Sequence, residues 1–321
     1  MTRVHIVGAA GYAAGELIRF LDRHPHVDIV TLESASAAGT AVRDAFRGLP
    51  QATYTFEGAG AALSACRAGD VVILAGEAEK ARDLAPQFLA AGARVIDLSD
   101  AFRAEAVYGL PERYREQIAN AQLVANPGCY PTAALLALLP FVSFSRDITN
   151  IILDAKSGIS GAGRSPKLGS MYAEVDGDVR TYGIPSHRHG KEIQQELRAL
   201  GMDAPFVFTP HVVPLTRGML VDAYVVLRKP VDEETIRAAF KRAYAGNSFV
   251  EVLEPPRVPY LPALACTNDT QIAISVRGGV VHVMSGNDNL GKGAAGQAVQ
   301  NLNIMCGDHE ETGLGTRIPV V

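Results

Sequence analysis

The cysteine in Asn126-Pro127-Gly128-Cys129-Tyr130-Pro131-Thr132-Ala133 lies between a Pro-Gly break and the apolar run that follows it. Cysteine is ordinarily a small core residue. This one follows a strand-ending turn and precedes a helix whose first turn can take Pro131, a residue favoured early in helices. A thiol at a helix N-terminus meets positive partial charge, which stabilises the thiolate and makes it a nucleophile near neutral pH. The alternative is a packing cysteine. The stretch Ile184-Pro185-Ser186-His187-Arg188-His189-Gly190 sets two histidines around an arginine, ahead of a helix expected to start near Gly190. Alternate residues without a third ligand nearby are poor metal spacing, and no metal is expected. A histidine working as acid/base with Cys129 is the sharper reading; a helix cap or a loop hydrogen bond is the other.

Cations stand near these residues in sequence. The segment 154–167 is rich in small residues and holds Lys156, Arg164 and Lys167, a composition suited to wrapping an anion with backbone donors. Arg103 follows another strand end, and Arg217 lies in Thr216-Arg217-Gly218; both are candidate clamps for a phosphate or carboxylate. His211 reads as structural.

Gly8, Gly11 and Gly15 make G-x-x-G-x-x-x-G between an apolar strand, Val4 to Val7, and a helix with Leu17, Ile18 and Leu21 on one face. Such glycines let the backbone approach a pyrophosphate while the helix N-terminus supplies unpaired N–H groups. Ala10 and Tyr12, between the glycines, join them as cofactor-binding candidates. At the end of the next strand, Ser34, Ser36 and Arg43 suit a ribose 2′-phosphate, which favours NADP. Glu33 argues the other way, because a carboxylate there binds a free 2′-hydroxyl and repels a phosphate.

The elements that must position these groups alternate at first. Strand-like runs at 70–75, 93–99 and 121–126 are separated by helical candidates at 78–91 and 111–120, the grammar of an open parallel sheet. After the cysteine, runs at 148–157, 204–214, 219–228 and 270–286 alternate, with a Gly-Gly hairpin signal, as in a mostly antiparallel sheet. The expected fold class is therefore α/β: a Rossmann-like N-terminal domain plus an α+β domain. The boundaries expected are 1–130 with 291–321 for the first and 131–290 for the second. The last long element carries Ala295, Ala298, Val299, Leu302 and Met305 at helical spacing.

At 321 residues two domains are the natural expectation. A net charge of −4 leaves no electrostatic footprint for nucleic acid, and no apolar run is long enough to cross a bilayer. Four scattered cysteines and the lack of a secretory signal suggest a reducing, cytoplasmic setting.

The motifs VGAAGYAAGEL, YGLPE, ANPGCYPTA, SGISGAGR, HRHGKEI, TPHVVPLTRG and NLGKGAAGQAVQNLN run nearly end to end. On them the chain resembles the N-acetyl-gamma-glutamyl-phosphate reductases, the arginine-biosynthesis branch of the semialdehyde dehydrogenase group. The resemblance implies NADPH-dependent reduction of N-acetyl-L-glutamyl 5-phosphate to the 5-semialdehyde, with release of phosphate and a thioester on Cys129. It implies that His189, or His187 in its place, is the acid/base. It also implies that the C-terminal helix returns to the dinucleotide domain and that the protein is a homo-oligomer, a dimer or tetramer. Within the matched motifs, Ser157, Gly158 and Asn289 become cofactor-binding candidates, and Asn126, Ser160, Arg164 and Arg188 join Arg103 and Arg217 as substrate-binding ones. Thr40 stands where the family often has lysine, which with Glu33 bears on NADP preference. The rival readings are a related acyl-phosphate reductase, acting on aminoadipyl or aspartyl phosphate, and a dinucleotide-binding sensor without catalysis.

Overall fold

The computed structural model describes residues 1–315; positions 316–321, the end of the segment expected in the first domain, lie outside them. The chain forms two compact units, Met1–Gly128 with the segment that begins at Ala294, and Cys129–Gly293. Cys129, Tyr130 and residues 291–293 thus belong to the second unit rather than the first.

The first unit is built on six strands: β1 (Thr2–Val7), β2 (Val27–Glu33), β3 (Val71–Leu74), β4 (Arg94–Asp97), β5 (Val107–Tyr108) and β6 (Leu123–Ala125). They form one parallel sheet in the order β2-β1-β3-β4-β6-β5. Val4, Ile6, Val71, Val72, Ile73, Val95 and Ile96 are sealed from solvent. Parallel strands are covered on both faces, which is why these runs read as continuously apolar. Helix Tyr12–Leu21 buries Leu17, Ile18 and Leu21, as its periodicity requires, and Ala14 and Phe20 with them. Strand order reverses between β1 and β3, the place where open sheets of this kind leave a ligand crevice beyond the strands' carboxyl ends.

Helix Gly296–Cys306 also belongs to this unit, and every residue from Gly296 to Met305 is buried. A helix buried all round normally lacks polar residues; this one uses its amides as connectors. Gln297 Nε2 and Asn301 Nδ2 both donate to the Gly109 carbonyl, at 2.6 and 2.9 Å. His24 Nε2 meets Asn303 Oδ1 at 2.9 Å.

The second unit carries β7 (Ile148–Gly158), β8 (Arg180–Thr181), β9 (Phe206–Val213), β10 (Met219–Leu227), β11 (Val250–Val252), β12 (Thr270–Arg277) and β13 (Val280–Asn287). Their order is β11-β12-β13-β10-β7-β9-β8, parallel at β11/β12 and β7/β9 and antiparallel elsewhere. Strict alternation on β10 puts Met219, Val221, Ala223 and Val225 on the covered face. Helix Cys129–Leu138 packs on β10 and β13 there, with Tyr130 to Leu138 all buried. The opposite face sets Val207, Ile152, Tyr224 and His282 side by side across β9, β7, β10 and β13. Lys156 also points to this face, where its Nζ bridges Asp154 and Asp222 at 2.9 and 2.8 Å. The strand-like run expected over 148–157 is β7, which continues to Gly158. Among the described residues, no helix is long and apolar enough to cross a membrane.

Candidate functional site

Cys129 is the first residue of helix Cys129–Leu138, where the unpaired N–H groups of the first turn favour negative charge. Behind it stands Gly293: a Cβ there would lie 2.9 Å from Cys129 Cβ and 3.2 Å from the Asp288 carbonyl oxygen. The Gly293 N–H donates to that carbonyl at 2.9 Å. The fully buried Asp288 carboxylate accepts from the N–H of Cys266, from Leu290 at 2.8 Å and from Gly291 at 3.2 Å, and pairs with Arg217 at 2.9 Å. Arg217, expected as an anion clamp, braces the turn that backs the thiol.

Cys129 lines a cavity of about 480 Å³ together with Tyr130, Tyr182, His187, Arg188 and His189. The thiol and both histidines expected from sequence are thus brought together. The helix expected near Gly190 starts at Arg188, two residues earlier, because His187 is its cap: Nδ1 accepts from the His189 N–H at 3.1 Å. That fixes the proton of the neutral ring on Nε2. Burial, and then Arg188, push the His187 pKa below its ordinary 6.5, so the ring is a neutral donor. His189 is 6% exposed. Tyr130 is sealed from solvent against both, its ring centroid 5.9 Å from each imidazole.

The cavity has cations and, among the described residues lining it, no carboxylate. They are Arg188, Lys167 and Arg180. The last is a residue the sequence did not single out, and it is also a staple, bonding the Glu174 carbonyl at 2.9 Å, the Asp178 carboxylate at 2.8 Å and the Gly169 carbonyl. Arg164 is exposed and does not line the cavity. Ser157 and Gly158, expected on the cofactor, line the thiol's cavity. Ser160 and Asn289 are bonded to each other, with Asn289 Nδ2 donating to Ser160 Oγ at 2.8 Å and Asn289 Oδ1 accepting from the Gly218 N–H at 2.9 Å. Their polar groups hold two loops together.

In the first unit Gly8 has φ +82°, and a Cβ on it would meet Gly76 N at 2.8 Å, so the turns after β1 and β3 lie back to back at the switch point. Gly11 has open space where a Cβ would be and caps helix Tyr12–Leu21 without a side-chain bond. This cradle fits a dinucleotide's pyrophosphate. Gly15 serves packing, since a Cβ would stand 2.9 Å from the Phe46 ring. Ala10 is half-buried and Tyr12 is 41% exposed. Glu33 turns inward: its carboxylate is buried, and Oε2 accepts from the Ala62 N–H at 2.9 Å. Ser36 and Arg43 remain exposed, with Ser34 Oγ 3.4 Å from Ser36 Oγ.

Arg103 and Asn126 also have structural partners. Arg103 is 8% exposed and donates to the carbonyls of Asn126 and Leu98, both at 3.1 Å. The Asn126 amide donates to the Ala294 carbonyl at 3.1 Å and accepts from Asn301 at 3.0 Å. A strand-end position is what suggested both as ligands, and it is also where a buried frame needs carbonyls satisfied. His5, Cys66 and Asp70 have ligand-type atoms within 4.8 Å of one another. Asp70 there already accepts from Arg3 at 3.1 Å, His5 at 2.9 Å and the Arg67 N–H at 2.9 Å, a network that explains the cluster without a metal.

Two family models match the chain: "Semialdehyde dehydrogenase, NAD binding domain" over residues 3–121 and "Semialdehyde dehydrogenase, dimerisation domain" over residues 129–289. Among curated relatives, the N-acetyl-gamma-glutamyl-phosphate reductase of Moorella thermoacetica is 41% identical, with 98% of each chain covered. That of Brevibacillus brevis is 42% identical at the same coverage. Among solved structures, aspartate semialdehyde dehydrogenase II of Vibrio cholerae, complexed with ASA, aligns with a TM-score of 0.76 at 19% identity, over 96% of this chain and 99% of that one. Aspartate semialdehyde dehydrogenase with NADP from Candida albicans gives 0.74 at 16%, over 95% and 98%. Likeness at that identity establishes the fold.

Proposed function

This chain belongs to the N-acetyl-gamma-glutamyl-phosphate reductases of the semialdehyde dehydrogenase group, and on that premise we propose that it reduces N-acetyl-L-glutamyl 5-phosphate to N-acetyl-L-glutamate 5-semialdehyde and phosphate, a step of arginine biosynthesis. The observation that carries the reading is the single cavity that gathers a helix-start cysteine, two histidines and three cations. Cys129 attacks the acyl carbonyl and phosphate leaves, which splits a difficult reduction into easier steps. His189 gives a proton to the carbonyl oxygen as it gains charge and takes it back when the aldehyde departs from sulfur. His187 donates from Nε2, and Arg188 and Lys167 hold the substrate's anionic groups.

The first unit would hold the nicotinamide dinucleotide at Gly8, Gly11 and the start of helix Tyr12–Leu21; when bound, it supplies hydride. NADP is our assignment. Exposed Ser36 and Arg43 support it, and the inward turn of Glu33 takes away the carboxylate that opposed it. Four free cysteines suit a reducing cytoplasm. The match of residues 129–289 to a dimerisation domain supports a homo-oligomer, a dimer or tetramer.

The test is phosphate-dependent oxidation of N-acetylglutamate semialdehyde with NADP⁺ or NAD⁺, beside the aspartate and aminoadipate semialdehydes, by wild type and Cys129→Ser. We expect preference for the acetylglutamate substrate and NADP⁺, and loss of turnover in the serine variant. Comparable turnover of another semialdehyde, or an active serine variant, refutes the reading.

A further inference from the structure

We infer that Tyr130 is a positioning residue, whose ring sets the imidazole of His189 against the thiol of Cys129. The inference rests on the reading of those two as acid/base and nucleophile. Tyr130 follows Cys129 in the first turn of the same helix, so its backbone moves with the thiol's. Its side chain is 1% exposed. The ring meets three others edge-on: His187 and His189, each at 5.9 Å between centroids, and Phe208 at 5.4 Å. These lie in the 4.5–7 Å range in which aromatic rings attract in a defined orientation. The two imidazoles also meet each other, at 4.9 Å and 64°, so a shift of one ring is passed to the next.

The far end of Tyr130 is pinned. Its hydroxyl donates to the His211 carbonyl on β9 at 2.8 Å and receives the Tyr182 hydroxyl at 3.4 Å. Burial raises its phenol pKa above the ordinary 10, so it stays a neutral donor. A side chain locked at both ends and sealed from solvent is the kind of support that holds a catalytic group within the tolerance its chemistry needs. Tyr130 takes no proton itself; it acts through His189.

The experiment is a double-mutant cycle on the full chain. Steady-state kinetics of phosphate-dependent semialdehyde oxidation are measured against pH for wild type, Tyr130→Phe, Tyr130→Leu, His189→Asn and Tyr130→Leu/His189→Asn. Tyr130→Phe keeps the ring contacts but loses the hydroxyl pin, so its kcat is expected to fall between wild type and Tyr130→Leu, with the wild-type pH profile. Tyr130→Leu is expected to lower kcat by about 10²-fold, the low end of acid/base assistance, with the semialdehyde KM little changed. Its pH profile should match that of His189→Asn. The decisive result is non-additivity: the double variant should equal His189→Asn within about twofold, because the leucine has nothing left to misplace.

A double variant slowed further by the full leucine factor, or a phenylalanine variant as slow as the leucine one, overturns the inference. A second arm needs no substrate: the pH dependence of Cys129 alkylation by iodoacetamide should be shared by wild type and Tyr130→Phe, and by Tyr130→Leu and His189→Asn. Failure of wild type to turn over the semialdehyde sinks the proposed function, whereas the alkylation arm still decides Tyr130. If Tyr130→Leu does not fold, Tyr130→Met replaces it; failure of both to fold makes the residue a core element and also overturns the inference.

Discussion

At the residue scale, the backbone behind Cys129 is packed so closely that the thiol has one place to stand: Gly293 lies against it, held by its own N–H on the Asp288 carbonyl. Cys129 itself could be singled out in the sequence, between Pro-Gly and an apolar helix, and the histidine pair by its spacing. Gly293 and Asp288 carried a weaker signal, a glycine repeat after Asn-Asp-Asn, whose meaning depends on a contact with a residue more than 150 positions earlier. Their importance gives a prediction. In Gly293→Ala the new methyl meets Cys129 Cβ, Cys129 Cα and the Asp288 carbonyl, at 2.9, 3.3 and 3.2 Å. Two of these atoms are backbone and cannot swing away. Overpacking of this kind costs about 1–3 kcal/mol, and a displacement of about 1 Å at the reacting atom costs about 10²-fold in rate. We expect Gly293→Ala to lose roughly that much kcat while remaining folded, measured by kinetics alongside urea unfolding; full activity would place the thiol elsewhere. The arginines carry partners the sequence did not show: Arg103 and Arg217 stand where ligands are usually met, and buried carbonyls and a carboxylate take some of their donors.

At the element scale, the parallel strands were readable because burial on both faces leaves an unbroken apolar run, and helix Tyr12–Leu21 because one face repeats. Strands β5, β8 and β11, of two or three residues each, are too short to carry a period and exist because a neighbour offers an edge. Helix Gly296–Cys306 was readable as a helix, but its buried amides gain meaning from their partners. One partner is titratable. His24 donates from Nε2 to Asn303 Oδ1, and its Nδ1 accepts from the His26 N–H at 3.2 Å, so both ring nitrogens are satisfied by the neutral form. Burial lowers its pKa from the ordinary 6.5, against smaller opposing pulls from Asn303 and Asp308. Above pH 6.5 the ring is neutral folded and unfolded, and the contact is fully present; as pH falls below 6.5, the unfolded chain binds the proton more readily and stability drains away until the folded ring also titrates. His24→Gln, which keeps an amide donor and cannot titrate, should flatten the dependence of the unfolding midpoint between pH 6.5 and 5. Parallel curves for variant and wild type would contradict this.

At the scale of the whole molecule, the second unit is an insertion whose first residue, Cys129, and last, Gly293, touch. Meeting ends let the chain leave and rejoin the first unit without a long linker, and the C-terminal helix that follows supplies the first unit with a fully buried element. Sequence alternation showed the two grammars but not this closure, which depends on contact between distant residues. Alternation has a further consequence on the inserted sheet. Its covered face is filled by helix Cys129–Leu138, whereas the other leaves Ile152 at 41%, Val207 at 55% and Val280 at 38% exposed. Apolar side chains grouped in register on one sheet face, beside the Lys156, Asp154, Asp222 and His282 network, mark an association surface more than a solvated one. With the dimerisation-domain match over 129–289, this makes that face the expected contact between copies of the chain. Placing a carboxylate at its centre, in Ile152→Glu, would bury an unpaired charge in each copy, a cost of several kcal/mol. Sedimentation should show wild type as a dimer or tetramer and the variant shifted toward monomer at the same concentration. A variant that sediments as wild type does would move the interface to another surface of the unit.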